Sequence, residues 1–122
     1  MNLKVSILTV SYQSAATLRQ TIESVLAQDY TNKEYWVIDG GSTDGSLEIL
    51  KSFGSAIQFI SEKDGGIYDA MNKGLKLIDG DVIGMIGADD FYPTNDVISS
   101  VVSAFESNQV DVVYGDKQYV NP

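Results

Sequence analysis

Short apolar stretches alternate with amphipathic segments along this chain. Five apolar stretches have the length and the composition of buried strands, and they cover residues 3–10, 35–38, 57–60, 82–86 and 110–114. Between them, apolar residues recur at the spacing of a helix. This alternation predicts an α/β fold of Rossmann-like β-α units, with a mainly parallel sheet and helices on both of its faces.

Each predicted helix has a start signal and an apolar face. Ser14 is the expected cap of the first helix, and Thr94 or Asn95 that of the last. A turn at residues 40–45 leads into the short second helix, and residues 64–66 open the third. The expected buried faces, in order, are Leu18, Ile22, Val25 and Leu26; Leu47, Leu50 and Phe53; Tyr68, Met71, Leu75 and Ile78; and Ile98, Val101, Val102 and Phe105.

Composition narrows the possible functions. The 122 residues suit one domain with a single core, and 43% of them are hydrophobic. A net charge of -9 argues against nucleic acid and against an anionic membrane surface as partners. Without histidine or cysteine, a general base has to be a carboxylate, a tyrosine or a lysine. The start of the chain lacks a signal peptide and no apolar run could span a bilayer, so we expect a cytoplasmic protein, or one at the inner face of the membrane.

Acidic residues follow four of the five predicted strands. They are Asp39, Asp64, the pair Asp89 and Asp90, and Asp116. Ligands of open α/β sheets bind outside the carboxyl ends of the strands, where these acids are expected to gather. Because gathered carboxylates repel one another, the pattern predicts a site for a nucleotide and a metal ion.

The individual motifs leave alternatives open. For Asp39 we favour a ligand contact over a plain turn, whereas Asp44 is expected to cap the next helix. Asp89 and Asp90 could form a solvated turn, but one such acid is enough for Mg²⁺ when substrate phosphates complete its shell. The glycines at 65 and 66 open a helix whose amino end favours an anion. In that helix Tyr68 and Met71 are expected to pack in the core, and Lys73 to be a surface charge or a functional one.

Together, the stretches 5–12, 37–46, 64–74 and 86–90 resemble family 2 glycosyltransferases. The resemblance implies the GT-A nucleotide-diphospho-sugar transferase fold and transfer with inversion. The stretch 66–74 is similar to that of bacterial enzymes of exopolysaccharide, colanic-acid-type or O-antigen assembly. The implied donor is a UDP-sugar, the implied acceptor a glycan or a lipid-linked glycan, and the implied cofactor Mn²⁺ or Mg²⁺.

The resemblance also implies roles for particular residues. The expected nucleotide-binding residues are Thr9, Tyr12, Asp39, Asp64, Gly65 and Ala88, and the expected metal ligands are Asp89 and Asp90. This chain departs from the family pattern at Gly87, where an acid is usual, and at Met71, where many relatives have arginine. Residues 1–122 would form the donor-binding part of the domain. The catalytic base is expected in an acceptor-binding part that is absent, so the chain alone would be inactive or weakly active.

Two further hypotheses compete with this one. The chain could be a non-catalytic nucleotide-binding module that acts through a partner chain. It could also be a phospho-acceptor receiver domain, although a receiver needs its acid pair after the first strand, where Ser11 and Tyr12 stand here. An uncovered sheet edge or apolar face would favour a homo-oligomer.

Overall fold

The structure, a computed structural model, describes residues 3–108. Strands and helices alternate as predicted, in the order β1 Val5–Ser11, α1 Ala15–Leu26, β2 Lys33–Asp39, α2 Ser46–Ser52, β3 Gln58–Ser61, α3 Ile67–Leu77, β4 Val82–Met85 and α4 Val97–Asn108. A short 3-10 turn, Gly54–Ala56, precedes β3. The predicted fifth strand at 110–114 and Asp116 lie outside the described residues.

The four strands form one parallel sheet in the order β3-β2-β1-β4. This is the start of the 3-2-1-4-5-6 order of the Rossmann fold and differs from the 2-1-3-4-5 order of receiver-like proteins. The receiver hypothesis is therefore wrong. In the register of the sheet, Ser11 lies beside Asp39, and Asp39 beside Ser61, so three strands bring polar side chains to the same edge.

Each face of the sheet is covered by helices, as predicted. The larger core lies between the sheet and α1, α2 and α4, and includes Ile22, Leu50 and Val102 against Ile7 and Val37. The smaller core lies on the opposite face, where α3 packs against β1 and β2. None of the helices within residues 3–108 is long and apolar enough to cross a membrane.

The predicted buried face of α3 is wrong. Tyr68, expected in the core, is 79% exposed, and Leu75 is 41% exposed, whereas Ala70 and Gly74 are buried. A methyl group at Gly74 would lie 2.4 Å from the Leu8 side chain, so α3 can approach β1 only through its small residues. Because α3 approaches the sheet along Ala70 and Gly74, its larger apolar residues such as Tyr68 lie on the side away from the sheet.

Two helix starts also differ from the prediction. Ser14 precedes α1, but its hydroxyl donates to the Tyr12 carbonyl, and the first free N–H group of the helix, that of Ala15, donates to Asp44 instead. Helix α4 begins after Asp96, whose carbonyl accepts the Ser100 N–H. The expected apolar faces of α1 and α4 are nevertheless correct, because Ile22, Val25, Ile98 and Val102 are buried.

An apolar face of β4 remains open within the described residues. Ile83 and Met85 are 51% and 48% exposed on the last strand of the sheet. The predicted homo-oligomer stays a prediction.

Candidate functional site

A cavity of about 480 Å³ opens at the carboxyl ends of β1, β2 and β3. It is lined by Val10, Ser11 and Tyr12 at the end of β1, by Gly40 after β2, and by Lys63, Asp64, Gly66 and Ile67 from the loop after β3 and the start of α3. Tyr12 and Ile67 are 65% and 61% exposed, so they offer apolar surface to a planar ligand at the mouth of this cavity. Of the predicted nucleotide-binding residues, Tyr12 and Asp64 line it, and Gly65 lies next to it in the chain.

Gly40 lies at the closest point between these walls. A methyl group there would lie 3.1 Å from Asp64 Oδ2 and 3.2 Å from Tyr12 Cδ1. The Asp64 carboxylate also accepts the Gly66 N–H at 2.9 Å, which fixes the glycine turn before α3. Gly40 was not among the predicted site residues, although a glycine directly after a strand-end acid is a signal of close approach.

Asp39 lies beneath the cavity and not in its wall. Its side chain is fully buried, and both of its oxygens accept hydrogen bonds from the protein. Oδ1 accepts from Ser11 Oγ and Ser42 Oγ at 3.0 and 2.7 Å, whereas Oδ2 accepts from the N–H groups of Gly41 and Ser42 and from Ser61 Oγ. In this arrangement the carboxylate ties the ends of three strands together. Its predicted contact with a base stays a prediction.

Thr9 also points into the interior. It is fully buried, and its hydroxyl and that of Tyr35 are 2.7 Å apart. Burial raises the pKa of the Tyr35 phenol, and the Thr9 hydroxyl opposes part of this rise. The structure therefore places Thr9 on the side of the larger core, away from the residues that line the cavity.

Two loops are joined beside the cavity by Gln13, which the sequence analysis did not single out. Its backbone has a φ of 52°, in the left-handed region that is uncommon for residues other than glycine. Its N–H donates to Ser42 Oγ, its side-chain amide donates to Thr43 Oγ1, and its side-chain carbonyl accepts the Thr43 N–H. These contacts hold the loop that carries Tyr12 against the loop that follows Asp39.

Asp44 connects the same two loops where they lead into α1 and α2. Its carboxylate accepts the N–H of Ala15 at 3.0 Å and both the hydroxyl and the N–H of Ser46. These hydrogen bonds, that from the Ser46 hydroxyl most of all, lower the pKa of Asp44. Asp44 thus accepts the first N–H group of α2, as predicted, although the N-cap residue of that helix is Gly45, and it also accepts the first N–H group of α1.

Asp89 and Asp90 lie in a tight turn that begins at Gly87, two residues after the end of β4. The Asp90 N–H donates to the Gly87 carbonyl at 3.0 Å and closes the turn, while the Ala88 side chain is buried in the larger core. A methyl group at Gly87 would lie 2.9 Å from Asp90 Oδ2 and 3.1 Å from Asp89 Oδ1. Both carboxylates therefore extend over Gly87, and the absence of a side chain there leaves room for them.

This turn lies next to a second cavity, of about 170 Å³. Its walls include Val10 and Ile67, which also line the larger cavity, and Met71, Met85 and Gly87. The two cavities together form a groove that runs across the end of β1 toward the acidic turn. The strand order reverses at this point, and ligands of such sheets bind there.

The two carboxylates of the turn are suitable donors for a hard divalent cation. Mg²⁺ and Mn²⁺ prefer oxygen ligands, and Mg²⁺ is usually held by one or two carboxylates together with substrate phosphates. Among residues 3–108, no three acidic side chains lie close enough together to hold a metal ion by themselves. The strand-end acids therefore do not gather as one group: Asp39 is buried, Asp64 lines the larger cavity, and Asp89 and Asp90 form the turn.

Lys73 is engaged in ion pairs on the surface of α3. Its ammonium lies 3.1 Å from Glu62 and 3.8 Å from Asp69. The hydrogen bond with Glu62 raises the pKa of Lys73. Lys63, which lines the larger cavity, was not among the predicted site residues, and no pattern of the sequence sets it apart from other exposed lysines.

Known proteins are similar to this chain both in sequence and in fold. Residues 6–122 match glycosyl transferase family 2. An uncharacterized glycosyltransferase of Mycobacterium tuberculosis is 37% identical over 102 residues, which are 82% of this chain and 39% of that protein. The chain thus spans well under half the length of this curated relative.

Two solved structures have the same fold. The mannosyltransferase PcManGT from Pyrobaculum calidifontis, in complex with GDP-Man and Mn²⁺, matches with a TM-score of 0.80 and 21% identity over 90% of this chain and 34% of its own. Glucosyl-3-phosphoglycerate synthase from Mycobacterium tuberculosis, in complex with Mn²⁺, UDP and glucosyl-3-phosphoglycerate, matches with a TM-score of 0.69 and 21% identity over 86% of this chain and 40% of its own. The predicted GT-A fold is confirmed.

The family match covers nearly the whole chain, and the order of the strands and the groove at their carboxyl ends agree with it. The chain belongs to glycosyl transferase family 2.

Proposed function

We propose that residues 1–122 form the donor-binding part of a glycosyltransferase that moves a sugar, with inversion, from a nucleotide diphosphate to a glycan or a lipid-linked glycan in cell-surface polysaccharide synthesis. The observation that carries the proposal is the groove that runs from Tyr12, Gly40 and Asp64 toward the turn of Asp89 and Asp90. It offers apolar surface at one end and carboxylates at the other, as a base and a metal-bound diphosphate require.

In this proposal the base occupies the larger cavity. Tyr12 and Ile67 offer it apolar surface, and Asp64 offers it an acceptor for N–H groups or hydroxyls. Gly40 allows the base to lie close to the backbone, since a side chain there would enter the space between Tyr12 and Asp64. UDP is the preferred nucleotide, and GDP and dTDP are the alternatives to be tested.

The diphosphate would lie nearer to Gly87, where Asp89, with the support of Asp90, would hold Mn²⁺ or Mg²⁺. A bound divalent cation would neutralise the charge that develops on the leaving diphosphate. The chain itself binds and orients the donor. In this proposal the acceptor hydroxyl is deprotonated by a residue of an acceptor-binding part that lies outside residues 1–122.

A thermal-shift panel with UDP, GDP and dTDP, each with and without Mn²⁺, tests the proposal, with ADP as a nucleotide control. Ligand at a hundred times its Kd stabilises the native state by about 2.7 kcal/mol, which raises the melting temperature by several degrees. We expect such a rise with one nucleotide, and a larger one when Mn²⁺ is present. The proposal would be contradicted if none of the three nucleotides raised the melting temperature.

A further inference from the structure

Helix α1 carries two parallel stripes of side chains with different partners. The apolar stripe packs in the larger core and consists of Leu18, Ile22 and Val25. A polar stripe runs beside it at the helical spacing i, i+4, i+7 and i+11 and faces the loop that follows β4. We call it the polar ladder, and its members are Thr17, Thr21 and Ser24 of α1 and Gln28, which lies two residues beyond the end of the helix.

The amino-terminal half of the polar ladder binds the turn of Asp89 and Asp90. The Thr17 hydroxyl donates to the Ala88 carbonyl at 2.8 Å. The Thr21 hydroxyl is fully buried and lies within hydrogen-bond distance of two carbonyls of the turn, those of Ala88 and Asp90. A single hydroxyl thus sits between the carbonyl groups on either side of Asp89.

The carboxyl-terminal half binds the rest of the loop. Ser24 Oγ accepts the Tyr92 N–H at 3.1 Å. The Gln28 side chain is buried, and its amide donates to the Thr94 carbonyl while its carbonyl accepts the Ile98 N–H at 2.9 Å. The loop is therefore attached at several points to one side of α1 and to Gln28 just beyond it.

These contacts hold the backbone of the acidic turn, whereas its carboxylates lie near Gly87. The direction of the Asp89 side chain depends on the backbone on either side of it, and Thr21 holds the carbonyls of both Ala88 and Asp90. Without that hydroxyl, the Asp90 carbonyl would lose its Thr21 donor and the Ala88 carbonyl would keep only that of Thr17, so the turn would gain other orientations at little additional cost.

We propose that Thr21, supported by Thr17, is a positioning residue for the turn of Asp89 and Asp90 and thereby sets its affinity for a divalent cation. The part of this inference that concerns the cation rests on the proposed function. The hydrogen bonds that attach the turn to Thr21 do not depend on it. Thr21 touches neither the nucleotide nor the metal; it acts through the backbone of the turn.

Three variants separate positioning from packing. Thr21→Val keeps the shape of the side chain and removes the hydroxyl, and Thr21→Ser keeps the hydroxyl. Ser6→Ala is the matched control, because Ser6 is also a fully buried hydroxyl with partners in two segments, Glu34 and Gly80, but lies at the opposite end of β1.

The first readout is hydrogen exchange of residues 87–92 without ligand. We expect Thr21→Val to speed the exchange of the Asp90 and Tyr92 N–H groups by about tenfold, the equivalent of one lost hydrogen bond. Thr21→Ser should stay within about twofold of the wild type. Ser6→Ala should lower the free energy of unfolding without a selective effect on this loop.

The second readout is titration with Mn²⁺ in the presence of the nucleotide that binds. The Kd for Mn²⁺ should rise by about tenfold in Thr21→Val and recover in Thr21→Ser, while binding of the nucleotide without metal is unchanged. Equal behaviour of Thr21→Val and Ser6→Ala in both readouts, or equal impairment in Thr21→Val and Thr21→Ser, would overturn the inference. If the wild type binds no Mn²⁺, the proposed function and the cation part both fail, and hydrogen exchange still decides whether Thr21 positions the turn.

Discussion

Asp39 and Asp89 occur in similar places in the sequence but in opposite environments in the structure. Asp39 ends β2 and is fully buried, with five donors around its carboxylate. Asp89 follows β4 closely and is exposed, with its carboxylate extending over Gly87. An acid after a buried strand can thus be part of the scaffold or free for a ligand, and the donors that neighbouring strands supply decide which of the two it becomes.

The largest difference between the two acids is expected in stability. Asp39→Ala removes the acceptor of five hydrogen bonds and leaves buried hydroxyl and N–H groups without a partner, so the free energy of unfolding should fall by roughly 3 kcal/mol or more. Asp89→Ala, on the surface, should change it by less than about 0.5 kcal/mol. Urea unfolding of both variants measures the comparison, and similar losses in the two would contradict it.

Gly40, next to Asp39, lines the cavity, so a substitution there is expected to affect nucleotide binding and not the scaffold. Gly40→Val would fill the space between Tyr12 and Asp64, where even a methyl group has neighbours at 3.1 to 3.2 Å. Nucleotide affinity should fall by about tenfold, the equivalent of about 1.4 kcal/mol. Calorimetric titration measures the change, with Ala56→Val, on the exposed 3-10 turn, as the control for added bulk. Unchanged affinity in Gly40→Val would place the base elsewhere.

Asp44 is intermediate between the two acids, because its carboxylate is exposed yet binds Ser46 and Ala15. Its pKa is lowered in the folded state, so its contribution to stability is present above the unfolded pKa of about 3.9 and is lost as the pH falls through the lower folded pKa. The fall in the urea midpoint from pH 5 to pH 2 should therefore be smaller in Asp44→Asn than in the wild type. An equal fall in the two proteins would show that these hydrogen bonds do not stabilise the charged form.

Local patterns were sufficient to predict the order of the elements. Strands such as Val5–Ser11 are rich in apolar and β-branched residues and need cover on both faces, and α1 has a regular apolar stripe. The buried face of α3 could not be predicted in this way. Its contact with β1 is set by the close approach of Gly74 to Leu8, and spacing alone favours the larger residues that in fact lie outside.

Only those features of the site that depend on a single segment of the chain could be predicted. The carboxyl ends of the strands could be located, and with them Asp64 and the turn of Asp89 and Asp90, whereas Tyr12 was named from the family resemblance. The burial of Asp39 depends on Ser11, Ser42 and Ser61, which come from separate segments and meet only in the folded sheet. The polar ladder had a signal in the spacing of Thr17, Thr21, Ser24 and Gln28, but its partners lie more than 60 residues away along the chain.

The most direct test of the contrast between the two acids is the binding of Mn²⁺ by Asp89→Asn in the presence of the preferred nucleotide, measured by calorimetry beside the wild type. We expect the variant to lose most of its affinity for Mn²⁺, by at least about tenfold, while it keeps its fold and its affinity for the nucleotide without metal. Unchanged affinity for Mn²⁺ in Asp89→Asn would contradict the assignment of this acid as the free, metal-binding one.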